Sequence, residues 1–276
     1  MFNTTPPPIY DYKYISLGYR CSSAGILKEM GFKTESYPFD WCVSRLWVIH
    51  DCIQNNFTEF LRVSNYKKVN TFTFQHFQTT LPTDYICDEN AVTNDYYNPI
   101  AGGCYTPINT YQFQLLMNHH NIIDNTEDFE YYVRCVERLR NILYNKTIPK
   151  MFVHITPLYT MDDFNRYHTD IISKCVKFHD FLENIPAVAG ENDGGFYIKG
   201  IYFIMVKDIE NKPSIQLYEP VGEETNENGG NKYQNTRRIY ILRTNRDFID
   251  AGETFMGDYW REVDAIKNNI LRFASF

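Results

Sequence analysis

The stretch "YISLGYRCSSAGILKEMG", Tyr14 to Gly31, decides how the chain is read. Its first part belongs to a β-rich run, Tyr12 to Gly18, that ends at the glycine. Its second part carries Ile26, Leu27 and Met30 at helical spacing, with Ser22 or Ser23 placed to cap and Gly31 placed to stop. A strand that passes through Gly18 into a helix sets Cys21 beside the helix N-terminus. There the positive partial charge of unpaired N–H groups lowers a thiol pKa, and the neighbouring Arg20 adds to it. The pattern therefore suits a nucleophile. It suits two other things as well: a Rossmann-like turn holding a phosphate, nucleotide or sugar, and a small buried hydrophobe. No full GxGxxG or P-loop accompanies the glycine.

Outward from this stretch, strands and helices alternate. "SYPFDW", Ser36 to Trp41, reads as a compact loop, and Ser44 to Leu61 as a helix with Leu46, Ile49, Ile53, Phe57 and Phe60 on one face. A loop-rich excursion covers about 67–110, with a strand-like "TFTFQHF" inside it and a surface stretch after Pro82. A helix is predicted from Thr126 to Tyr144, a strand over Lys150 to Thr156 and a helix over Ile171 to Leu182. "GIYFIMVKD" and "SIQLYEP" read as a hairpin joined by "IENKP", and Arg237 to Thr244 as a last strand. The expected fold is α/β, with a mixed, mainly parallel sheet flanked by helices and a long loop insertion. Residues 1–10 read as a flexible leader held extended by Pro6, Pro7 and Pro8, and 11–276 as one domain.

Composition narrows the function. The 276 residues carry a net charge of −7, which argues against an extensive nucleic-acid surface. No run approaches the length of a membrane span, and the N-terminus lacks the pattern of a secretory signal. Seven cysteines, odd in number and without CxxC pairs, read as reduced thiols in a cytoplasmic protein. The 22 Tyr and 20 Phe, beside abundant Asn, Ile and Lys, match the codon bias of an AT-rich genome. No metal and no cofactor are expected, and nothing in the sequence fixes an oligomeric state.

A thiolate nucleophile needs a base, usually histidine. Seven histidines are available. His50, His168 and His179 read as surface or interface residues of helices. His76 and His154 lie in strands, the latter equally readable as a core residue. His119 and His120 are better placed, because "LLMNHHN" ends an apolar run at a polar turn. Side chains alternate along a strand, so at most one of the two faces Cys21. Asp40, between Phe39 and Trp41, is either a loop cap or an acid that orients an imidazole.

These blocks resemble a family of papain-like cysteine peptidases found in bacteria and in large DNA viruses. Its members show "SLGxxC" after a strand, a "DW" block, an "NHD"-like stretch, an Arg-rich helix and an "FVR" strand. The counterparts are Ser16-Leu17-Gly18 with Cys21, then Pro38-Phe39-Asp40-Trp41, Asn118-His119, the helix with Arg134, Arg138 and Arg140, and Phe152-Val153. The resemblance implies Cys21 as nucleophile, His119 as base and Asp40 as orienting acid. Gly18, Arg20, Trp41 and His120 would line a site for a peptide or protein substrate. His120 stands where the family tends to have Asp, and His154 where it has Arg. Papain-like domains set the cysteine helix on a largely antiparallel sheet, whereas the alternation here predicts a mainly parallel one.

Overall fold

The structure is a computed structural model that describes residues 11–18, 21–69, 71–74, 83–86, 90–97, 115–117, 119–145, 147–186, 198–208, 210, 213–218, 236–244 and 260–275. The expected leader, Arg20 and His76 lie outside these residues.

The main sheet has five strands: β1 (Lys13–Ser16), β8 (Lys150–Thr160), β9 (Ile198–Lys207), β11 (Arg237–Thr244) and β10 (Ser214–Leu217), in that order. β1, β8, β9 and β11 run parallel to one another, and β10 is antiparallel to β11. This is the mixed, mainly parallel α/β sheet that the alternation predicts. The expected hairpin differs: β9 pairs with β8 and β11, and β10 turns away to pair with β11 at the edge. The apolar run of β9 is buried on both faces, which fits an inner parallel strand, whereas β10 is largely exposed.

Residues alternate between two layers of core along each strand. Ile15, Phe152, Tyr202, Ile204 and Ile241 face one layer, which α2 (Leu46–Gln54), α3 (Thr126–Tyr144) and α4 (Met161–Glu183) cover. Tyr14, Met151, Val153, Phe203 and Leu242 face the other, closed by α1 (Ser22–Glu29) and α5 (Trp260–Ala274). From β1 to β8 to β9 the strand order advances one way while α3 and α4 share a face, as crossovers of a single hand require. Two lysines at the N-terminal edge of the sheet are buried as helix caps. Lys150 Nζ donates to the carbonyls of Ile142 (2.5 Å) and Asn145 (2.7 Å), and Lys199 Nζ to that of Phe273 (2.9 Å). β8 carries a bulge at Thr156-Pro157, where the Thr156 hydroxyl accepts the amide of Met205 at 3.0 Å.

A second, antiparallel sheet runs β2 (Cys42–Ser44), β7 (Leu115–Met117), β6 (Val92–Asn94), β3 (Tyr66–Lys68). β4 (Thr71–Phe74) and β5 (Thr83–Ile86) form a separate ribbon. Part of the stretch expected as a surface loop is therefore core: Ala91, Val92 and Tyr97 are buried. α2 is also shorter than its apolar stripe predicts. Its backbone leaves the helix at Asn56 (φ 54°) and Phe57 (φ 60°), and the Phe57 amide bonds back to Cys52 O at 2.6 Å. Arg140 of α3 holds Asn56 O, so Phe57 and Phe60 still reach the core from an irregular segment.

Candidate functional site

β1 ends at the C-terminal edge of the parallel sheet, and the turn to α1 begins there. Leu17 N bonds to Val153 O at 2.9 Å, continuing the ladder with β8 for one residue. Gly18 then takes φ +68°, a conformation that favours glycine. It also lies hard against β2: a Cβ built on it would stand 1.9 Å from Ser44 Oγ and 3.5 Å from Phe39 O. Cys21 is the N-cap of α1, and its carbonyl accepts the Gly25 amide at 2.7 Å. The expected serine cap is replaced, because the Ser23 hydroxyl turns inward to Gly18 O (3.2 Å) and Ser16 Oγ (2.7 Å).

Cysteine burial separates the thiols. Cys42, Cys52, Cys135 and Cys175 are fully enclosed, and burial pushes the Cys42 and Cys175 thiols up to about 12. Among the described cysteines only Cys21 is not buried, and none of the five forms a disulfide.

The other expected site residues fall in two places. Asp40 is buried, and its Oδ2 accepts the Tyr37 amide (2.8 Å) and the Lys33 ammonium, which also donates to Glu35 O at 2.7 Å. Burial raises the Asp40 pKa above the ordinary carboxylate value, with Lys33 and the Tyr37 amide offsetting part of the rise. Trp41 beside it is half-buried. His119 is exposed just past β7, the partner strand of β2. His120 donates from Nδ1 to Asp128 Oδ1 (2.8 Å) and stacks on Tyr131, whose ring lies 5.0 Å away. Asp128 Oδ2 accepts the Asn121 amide at 2.8 Å, so His120 and Asp128 lock the approach to α3.

One histidine differs from its expected setting. His179 is fully enclosed, with Nδ1 3.2 Å from the Tyr202 hydroxyl and Nε2 3.4 Å from Glu183 Oε1. It lies on the buried stripe of Cys175, Phe178 and Leu182, and Gly200 leaves the room its ring fills. His50 is half-buried between α2 and α4, its ring 4.1 Å from that of Phe181, which fits the interface reading.

His154 is the residue whose relation to the turn the sequence does not display. It is 2% exposed, and its Nδ1 stands 2.9 Å from Leu17 O. A carbonyl only accepts, so Nδ1 carries the proton. Burial, with the Arg45 charge adding to it, lowers the His154 pKa from 6.5 to about 4, while the bond to Leu17 pulls the other way. The unfolded chain therefore binds this proton first. Stability is retained above pH 6.5 and lost as pH falls toward 4, by up to about 3 kcal/mol from this group. Urea midpoints of the wild type and His154→Asn at pH 7 and pH 4.5 test this: the variant should lose less stability on acidification. Among the described residues no three His, Cys, Asp or Glu side chains converge as a metal centre requires.

Comparison with known proteins now adds a family. A family model described as "Putative papain-like cysteine peptidase" matches residues 12–165. That span runs from β1 through α3 and β8 into α4, and takes in the Cys21 turn, the Asp40 loop and both histidines after β7. The chain belongs to this family. An uncharacterised protein of Acanthamoeba polyphaga mimivirus is 36% identical over 96 residues, which cover 33% of this chain and 40% of the viral protein. The chain thus spans less than half the length of that relative. No solved structure matches. In this member of the papain-like family, the helix that follows the cysteine packs on the parallel strands β1 and β8.

Proposed function

We propose that the chain is a cysteine-dependent amide hydrolase acting on peptides or proteins, with Cys21 as its nucleophile. The observation that carries this reading is the contrast among thiols: Cys21 is only half-buried at a helix N-terminus, and the other described cysteines are enclosed. The family description supports a peptide or protein substrate. His119, the exposed imidazole beyond β7, takes the thiol proton, and the thiolate attacks the amide carbonyl. N–H groups at the start of α1 hold the tetrahedral oxyanion. The amine leaves with the proton from the imidazolium, and water then releases the acyl group from sulfur. Asp40 holds its loop through Lys33 and Tyr37, with Oδ1 left to orient an imidazole. Gly18, Trp41 and His120 line the approach in this reading. A reducing cytoplasmic setting agrees with five cysteines in no disulfide, and no helix among the described residues is long and apolar enough to cross a membrane.

Alkylation by iodoacetamide as a function of pH tests it. Cys21 should react first, with a midpoint below the ordinary thiol value of about 8.5, and Cys21→Ala should keep its melting temperature while losing all turnover. A midpoint at the ordinary value would sink the proposal.

One observation favours a second reading. The turn sits at the C-terminal edge of a mainly parallel sheet, where open α/β sheets bind nucleotides and phosphates. Thermal stabilisation by nucleotides or nucleotide sugars, unaffected by Cys21→Ser, would select it.

A further inference from the structure

We propose that His154 and Ser23 are positioning residues for Cys21, holding the two carbonyls on either side of Gly18 turned into the protein. The inference rests on the reading of Cys21 as the nucleophile and adds what controls its reactivity. Leu17 O belongs to the peptide before Gly18, and Gly18 O to the peptide after it. The first accepts from His154 Nδ1 on β8 (2.9 Å), the second from the Ser23 hydroxyl on α1 (3.2 Å). Gly18 O can only accept, so Ser23 spends its one hydroxyl proton there. The 2.7 Å contact between the two hydroxyls must then be donated by Ser16. The result is a directed chain, from Ser16 to Ser23 to Gly18 O, which meets the imidazole bond from the other side. His154, Ser16 and Ser23 are all at most 2% exposed, so water does not compete for these bonds.

Both peptide planes flanking the most flexible residue of the turn are thus fixed, from two different elements. Bonded to enclosed side chains, neither carbonyl is free to rotate. Released, a carbonyl that turns toward the sulfur would add negative partial charge beside it and disfavour the thiolate.

The test is the pH-dependence of Cys21 alkylation by iodoacetamide in full-length protein, followed at the peptide containing Cys21. Ser23→Ala and His154→Leu should each raise the midpoint by about one pH unit, which slows alkylation about tenfold at pH 6. His154→Asn, whose amide can still donate to Leu17 O, should keep the wild-type midpoint. If Ser23→Ala and His154→Leu lower the melting temperature but leave the midpoint in place, the two residues are structural and the inference is wrong. Ser23→Ala removes a single oxygen and carries the test alone if His154→Leu does not fold. A wild-type midpoint near 8.5 is a different result: it overturns the nucleophile itself, and the inference with it.

Discussion

Lys33→Met is expected to destabilise the protein by about 3–5 kcal/mol, read as a fall in the urea midpoint at pH 7. The Asp40 carboxylate is fully enclosed, and Lys33 supplies the positive charge that touches it. The Lys33 side chain is itself 8% exposed, so solvent screens the pair little. Removing the ammonium leaves Oδ2 with the Tyr37 amide, and Oδ1 has no hydrogen-bond partner among the described residues. A buried charge with one neutral donor is held far less well than a paired one. The pH-dependence follows with a definite sign. Burial raises the folded-state pKa of Asp40 above its ordinary value, and losing Lys33 raises it further. A carboxyl with a raised folded pKa favours the fold at pH values below its unfolded pKa, and that contribution is lost as pH rises through the folded value. The variant should therefore lie closer to the wild type near pH 4 than at pH 7. Lys33→Met with Asp40→Leu removes both charges and should recover most of the loss, because a buried pair and a well-packed apolar pair differ little. An equal loss at both pH values, with no recovery in the double variant, would mean that the aliphatic stem of Lys33 matters and its charge does not.

The parts of this fold that the sequence displays are those where local and tertiary preferences agree. α3 occupies the predicted residues because Asn125 caps it, its side chain accepting the amides of Glu127 and Asp128, and its apolar stripe faces the core. α2 does not, because Phe57 and Phe60 prolong a helical stripe past a point where the backbone turns left-handed. A stripe reports which side chains are buried, and an irregular chain can bury them too. The β9–β10 hairpin misled for a related reason: neighbours in sequence are the usual partners, but β9 lies between parallel β8 and a second parallel partner, β11, that comes later in the chain than β10. At the site, strand, glycine, cysteine and helix are consecutive and so readable. The imidazole bond to Leu17 joins residues 137 positions apart, and the Lys33–Asp40 pair lies in a loop without periodicity. Neither leaves a pattern in the chain. His179 did leave one, since it sits on the stripe of Cys175, Phe178 and Leu182, but its polarity argued for the surface.

Gly18→Ala should cost about 2–5 kcal/mol, the sum of a left-handed backbone and an overpacked contact. Gly31→Ala provides the control that separates the two. Gly31 has φ +72°, close to the +68° of Gly18, but a Cβ there meets nothing within 4 Å. It should lose only the backbone part, about 1 kcal/mol. The excess at Gly18 measures the contact with β2, where the added methyl would stand 1.9 Å from Ser44 Oγ and 3.3 Å from Ser44 Cβ. Ser44 sits in a strand paired with β7, so its Cβ cannot withdraw without disturbing that sheet. Combining Gly18→Ala with Ser44→Ala removes the obstructing oxygen and should bring the loss down to that of Gly31→Ala. The same comparison bears on chemistry. Gly31 ends α1, whereas Gly18 sets where its N-terminus and Cys21 lie relative to β2. Gly18→Ala should therefore slow Cys21 alkylation and Gly31→Ala should leave it unchanged, at a temperature where both variants are folded. Equal alkylation rates would show that the close approach of Gly18 to Ser44 serves packing alone, and that the reactivity of the cysteine is set within α1.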